Sequence, residues 1–147
     1  MAASDAFVSL RQRAGLGVRS LVRAVLGTPE RAPASLVRQF PELALLRLRR
    51  GGVPVYIAGW ALGHPGAAAI TLWRHVFVHP TTSLDADLLL HELRHVHQFQ
   101  ASASFPLLYL WETMRRGYHA NRFEADARAF ASARRRHAAP DPRPGDP

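Results

Sequence analysis

The 147-residue chain contains no cysteine. A disulfide framework is thereby excluded, and so are thiolate-ligated zinc and a cysteine nucleophile. Any metal site must be built from histidine, aspartate or glutamate. The N-terminal stretch lacks the uninterrupted apolar core of a secretory signal. No run reaches the ~20 apolar residues that span a bilayer. A cytoplasmic protein without a transmembrane segment is the resulting expectation. Acids are also scarce, 11 against 19 basic residues, for a formal net charge of +8. Such an excess favours anionic partners. The arginines, however, are spread along the chain and form no single stripe. No specific nucleic-acid binding is expected, and contact with a membrane surface stays open. There is no internal repeat.

What is present suffices for a folded domain. Hydrophobic residues make up 48% and charged residues 20%, ordinary proportions for a globular chain of one-domain size. Residues 1–50 read as a helical segment, 51–137 as a metal-binding core and 138–147 as a disordered Pro-, Asp- and Gly-rich tail. Met1 to Gly27 interleaves arginines with apolar residues, loosely like an organellar presequence. The preferred reading is an amphipathic helix over Asp5 to Leu26. A helical pattern covers Ala34 to Arg50, restarting at Pro41 and stopping at Gly51-Gly52. Short strands are predicted at Val53 to Ala58, Ala69 to Trp73 and His75 to Val78, with a turn over Gly59 to Gly66. Three helices follow: Leu84 to Ala101, capped by Thr82 or Ser83; Phe105 to Arg116, ended by Gly117; and Asn121 to Arg136. Trp60, Trp73 and Trp111 are assigned to the core.

The segment that carries chemistry is His91-Glu92-Leu93-Arg94-His95, an HExxH motif. Residues i and i+4 lie one turn apart on the same helix face. Two imidazoles so placed converge on one metal ion. Glu92, offset by one residue, flanks that ion and is placed to take a proton from a metal-activated water. The surrounding helix is apolar on several sides, with Leu84, Leu88, Leu89, Leu90 and Leu93. A helix buried that fully should not carry His, Glu and His inward without a compensating partner. One Zn2+ per chain is the simplest partner.

A catalytic zinc needs a third protein ligand and an open position. The extension with glycine three residues and histidine six residues after the second motif histidine is excluded, because Gln98 and Ala101 stand there. A later helix must then supply the ligand, from Glu112, His119, Glu124 or Asp126. Glu124 is preferred, since the helix Phe105 to Arg116 can turn the chain back and small alanines beside the acids permit close packing. His119 is the runner-up. Asp126 is a candidate for holding a motif histidine through its other ring nitrogen. Tyr118, His75 and His119 are candidate oxyanion donors. His97 points elsewhere on the helix.

His91-Glu92-Leu93-x-His95 with Gln98, then Tyr109, Trp111 and Gly117-Tyr118, then Asn121-x-x-Glu124-x-x-Ala127, resembles small bacterial zincin domains of the gluzincin-like metallopeptidase group. The resemblance covers roughly residues 70–131 and leaves out the N-terminal helices. Many such relatives carry proline after the asparagine, where this chain has Arg122. Larger gluzincins add whole substrate-binding domains, for which this chain has little room. The resemblance implies Glu124 as third ligand, a peptide or protein substrate, and a cleft-edge strand over Ala69 to Val78 that pairs with the substrate backbone. The expected fold is α+β: a mainly helical zincin-like minidomain with a two- to three-stranded antiparallel sheet packed on the HExxH helix. The expected function is zinc-dependent amide-bond hydrolysis with Glu92 as general base. The alternative is a non-catalytic metal-binding or interaction domain of the same fold. A basic nucleic-acid-associated protein is the third reading.

Overall fold

The computed structural model describes Gly17 and residues 20–61 and 67–138. The expectations for most of the first helix, for the end of the Gly59–Gly66 turn, for the Trp60 side chain and for the C-terminal tail beyond Ala138 lie outside the described residues. Residues 20–26 are helical. Then come β1 (Thr28–Glu30), α1 (Ala34–Gln39), a 3-10 turn (Pro41–Leu45), β2 (Arg47–Arg50), α2 (Val53–Ala61), β3 (Ala69–Leu72) and β4 (His75–Val78). Three helices complete the described residues: α3 (Ala86–Ala101), α4 (Phe105–Arg116) and α5 (Arg122–Ala138). The protein is α+β.

The sheet has four strands in the order β1-β2-β4-β3. It is mixed, with β2 parallel to β4 and the two outer pairs antiparallel. The β3–β4 hairpin falls where the sequence put its two apolar, β-prone runs. The described sheet thus has four mixed strands in place of the two or three antiparallel ones expected, because two assignments along the chain differ and Thr28–Glu30 adds an edge strand. Arg47–Arg50 is a strand, not the end of a helix. Its Leu48 is 2% exposed and sits in register with Val76, also buried, so this Arg-Leu-Arg-Arg run has the period of two of a half-buried strand. Arg50 then secures it: the guanidinium holds Glu30 at 2.7 Å and donates to the carbonyls of His79, Pro80 and Thr82. Val53–Ala61 is a helix, not a strand. Pro54 stands in its first turn, where a missing N–H costs nothing, and it follows two positive-φ glycines that break the strand before it.

The helix α3 lies against the sheet, its Leu89, Leu90 and Leu93 packing with Leu48, Val76 and Val78 in one core. Asp85 caps it by accepting from Leu88 N at 2.8 Å, in place of the expected Thr82 or Ser83. Pro106 stands in the first turn of α4, and Gly117 ends that helix with φ 77°. Asn121 opens α5, its Oδ1 accepting from Phe123 N at 2.8 Å, so the chain enters this helix without a proline. The helix α5 packs antiparallel-hairpin fashion on α3 through Ala127 and Ala131, both buried. Small side chains there let the two helices approach closely. The tryptophans depart from expectation: Trp73 is 67% and Trp111 60% exposed. The outer face of α4 has no second layer among the described residues to cover it. No described helix is long and apolar enough to cross a membrane.

Candidate metal centre

His91 and His95 stand one turn apart on α3, and Glu124 reaches them from the first turn of α5. His91 Nε2 lies 3.1 Å from His95 Nε2. Glu124 Oε2 lies 3.2 Å from His91 Nε2, and Glu124 Oε1 lies 3.1 Å from His95 Nε2. Among the described residues this is the one His/Asp/Glu group with metal-ligand spacing. A tetrahedral ion with ligand distances of about 2.0–2.1 Å sets its donor atoms about 3.3 Å apart. The three separations match that edge length. Glu124 is 2% exposed, so it is no solvated surface acid. Its Oε2 is buried and faces His91 across that 3.2 Å gap. A buried carboxylate whose two oxygens each face an imidazole nitrogen marks a place suited to positive charge. The residues present fit a divalent metal.

The second layer of contacts fixes the ring that matters most. Gln98 Nε2 donates to Phe123 O at 3.2 Å and to Asp126 Oδ2 at 2.7 Å. Both partners only accept, so the amide orientation is determined. Gln98 Oε1 therefore faces His95 Nδ1, at 2.8 Å. Nδ1 must carry the proton. In the neutral ring Nε2 then offers its lone pair toward Glu124, which is the tautomer a metal requires. Arg94 grips Asp126 through two nitrogens, at 2.7 and 3.2 Å. Asp126 thus reaches the histidine only through Gln98, and the direct contact anticipated from sequence is replaced by a relay. Gln98 is three residues from His95 on the same helix, and that spacing was the signal for it.

Burial raises the Glu124 carboxyl, but hydrogen bonds from His91 and His95 outweigh it and hold the group well below the usual carboxylate range. Burial lowers His95, and the Glu124 and Glu92 carboxylates more than compensate, so its value is raised. Tyr109 donates to Glu124 Oε1 at 2.7 Å. Burial and the Glu124 charge push the Tyr109 and Tyr118 phenols up, so both stay protonated.

Glu92 is 5% exposed and stands beside the triad without joining it. Thr71 on β3 donates its hydroxyl to Glu92 Oε2 at 2.6 Å. A cleft of about 740 Å³ opens over these groups, lined by β3, by His91, Glu92 and His95, and by Tyr109, Tyr118, His119 and Arg128. The edge strand β3 forms one wall and, among the described residues, pairs only with β4.

The other candidates separate. His119 lines the cleft but lies outside the metal group, and its carbonyl accepts from Arg128. Glu112 is buried but faces Arg116 at 3.1 Å. His75 sits on β4 against Phe77, away from the cleft lining. His97 packs edge-on to Phe130, as its helix position implies. Sequence reasoning gave no role to Thr71 or Tyr109. Their contacts with Glu92 and Glu124 arise from chain segments 15 to 21 residues apart. Comparison with family models, with curated proteins and with solved structures gives no match to this chain.

Proposed function

We propose that this protein is a zinc-dependent hydrolase of amide bonds, a small zincin of the gluzincin-like type with a peptide or protein substrate. The observation that carries the reading is the convergence of His91, His95 and Glu124 at 3.1–3.2 Å, beside a buried Glu92, on the floor of one cleft. His91, His95 and Glu124 would hold the metal. Bound there, zinc supplies Lewis-acid activation of water and of the scissile carbonyl.

The chain's own groups account for the rest. Glu92 accepts the proton of the attacking water and returns it to the leaving amine. Thr71 pins its carboxylate from the edge strand, so the base does not swing away. Gln98 holds His95 in the ligating tautomer. Tyr118, kept protonated and lining the cleft, is the donor best suited to a developing oxyanion. The free edge of β3 offers backbone groups to an extended peptide.

The test is Glu92→Gln. Zinc analysis of the purified chain should give about one ion per molecule for both wild type and variant. Cleavage of a mixed peptide library should occur with the wild type and vanish with the variant. Zinc binding without cleavage by either would favour a metal-binding domain without turnover. No zinc in either would remove both readings.

A further inference from the structure

The helix α4 is arranged inside out. Its single acid, Glu112, is 5% exposed, while Leu107 is 73%, Leu110 51%, Trp111 60% and Met114 71% exposed. These four apolar residues follow the i, i+3, i+4, i+7 spacing of one helix face. That face points away from the core. Trp73, also exposed, lies near the start of the same helix. It occupies the turn between β3 and β4 with a left-handed φ of 58°, a conformation that bulky residues rarely adopt. One side of its ring stacks on Phe99 at 5.9 Å, and Phe99 meets Phe105, the first residue of α4, at 4.7 Å. Trp73, Phe99 and Pro106 border one surface recess. The hairpin tip and the first turn of α4 therefore adjoin.

We propose that this apolar face is a docking surface for an anionic lipid bilayer. Charge selects that occupant. Arg74 adjoins Trp73, Arg115 adjoins Met114, both are exposed, and α4 presents no exposed acid. Exposed tryptophan and leucine framed by arginine is the composition that lies in a headgroup boundary, with apolar side chains entering the acyl region and guanidinium groups pairing with phosphate. A second copy docked through the same face would offer these arginines no acid to pair with, since α4 presents none. Phe99 and Pro106 line both this recess and the cleft, so docking sets the cleft mouth beside the bilayer. The proposal stands on exposure and charge alone and is independent of the hydrolase reading.

Co-sedimentation of the full chain with vesicles tests it. One set is pure phosphatidylcholine, and the other contains about a third phosphatidylglycerol. The wild type should pellet with the anionic vesicles and much less with the neutral ones. The double variant Leu107→Glu/Trp111→Glu should lower the partition coefficient at least about tenfold. Arg74→Gln/Arg115→Gln should lower it by about fivefold or more on anionic vesicles. All substituted side chains are exposed, so melting temperature and zinc content should stay at wild-type values. Failure of the wild type to bind anionic vesicles overturns the proposal, as does equal binding by both variants. So does a wild-type dimer in sedimentation equilibrium that the double variant converts to monomer without any vesicle binding by either. That last result would make the face a contact between copies.

Discussion

Thr71 and Glu92 are joined by a 2.6 Å hydrogen bond that runs from the edge strand to the HExxH helix. It couples the cleft wall to the residue proposed as base. Thr71→Val keeps the side-chain shape and removes the donor. Turnover should fall about tenfold to a hundredfold, because a loosened base spends less time in reactive geometry. Zinc content should not change, since Thr71 does not touch the triad. Thr71→Ser should recover most of the rate. Loss of zinc in the valine variant would show that the bond holds the whole site together instead.

The relay from His95 through Gln98 to Asp126 predicts a graded loss of metal affinity. Gln98→Leu deprives His95 Nδ1–H of its acceptor and should weaken zinc binding about 10- to 100-fold. Asp126→Asn should weaken it less, because Gln98 keeps its bond to the Phe123 carbonyl. Competition against a chromophoric chelator measures both. Equal losses, or none, would contradict the relay.

Close approach of α3 and α5 is what brings Glu124 to the histidines. Ala127 is 0% exposed at that contact. Ala127→Leu should cost about 1–3 kcal/mol through overpacking and should abolish stoichiometric zinc binding by pushing α5 outward. The exposed Ala125 provides the control: Ala125→Leu should leave both stability and zinc content near wild type. Thermal denaturation and elemental analysis give the two readouts.

The pH dependence of the metal-free protein follows from the His95–Glu124 pair. A raised His95 contributes stability that is complete below its ordinary value of 6.5 and is lost as pH rises through its raised value. A depressed Glu124 contributes stability present above its ordinary value of 4.5 and lost as pH falls through its lowered value. Both contributions are whole only in mildly acidic solution. Zinc binds the deprotonated imidazoles, so the rise in melting temperature on adding zinc should be larger near pH 8 than near pH 5.5. Scans of chelator-treated protein with and without zinc check this. An equal or larger zinc effect at the acidic pH would show that these imidazoles are not the ligands.

Local pattern alone identified the helix bearing His91, Glu92 and His95, its two successors and the β3–β4 hairpin, because periodicity, caps and the i, i+4 spacing act within a few residues. It also singled out Glu124, since alanines beside an acid on a later helix imply close packing. What it could not decide were events between distant segments. Arg47–Arg50 becomes a strand because Arg50 finds Glu30 and three carbonyls beyond the next helix and hairpin. Asp126 becomes a member of a relay because Gln98 and Arg94 lie across the helix interface. Trp111 is left outside because nothing described packs over α4. In each case the outcome depends on which surfaces meet in three dimensions, and the energy of burial or of a satisfied polar group is set there and not along the chain.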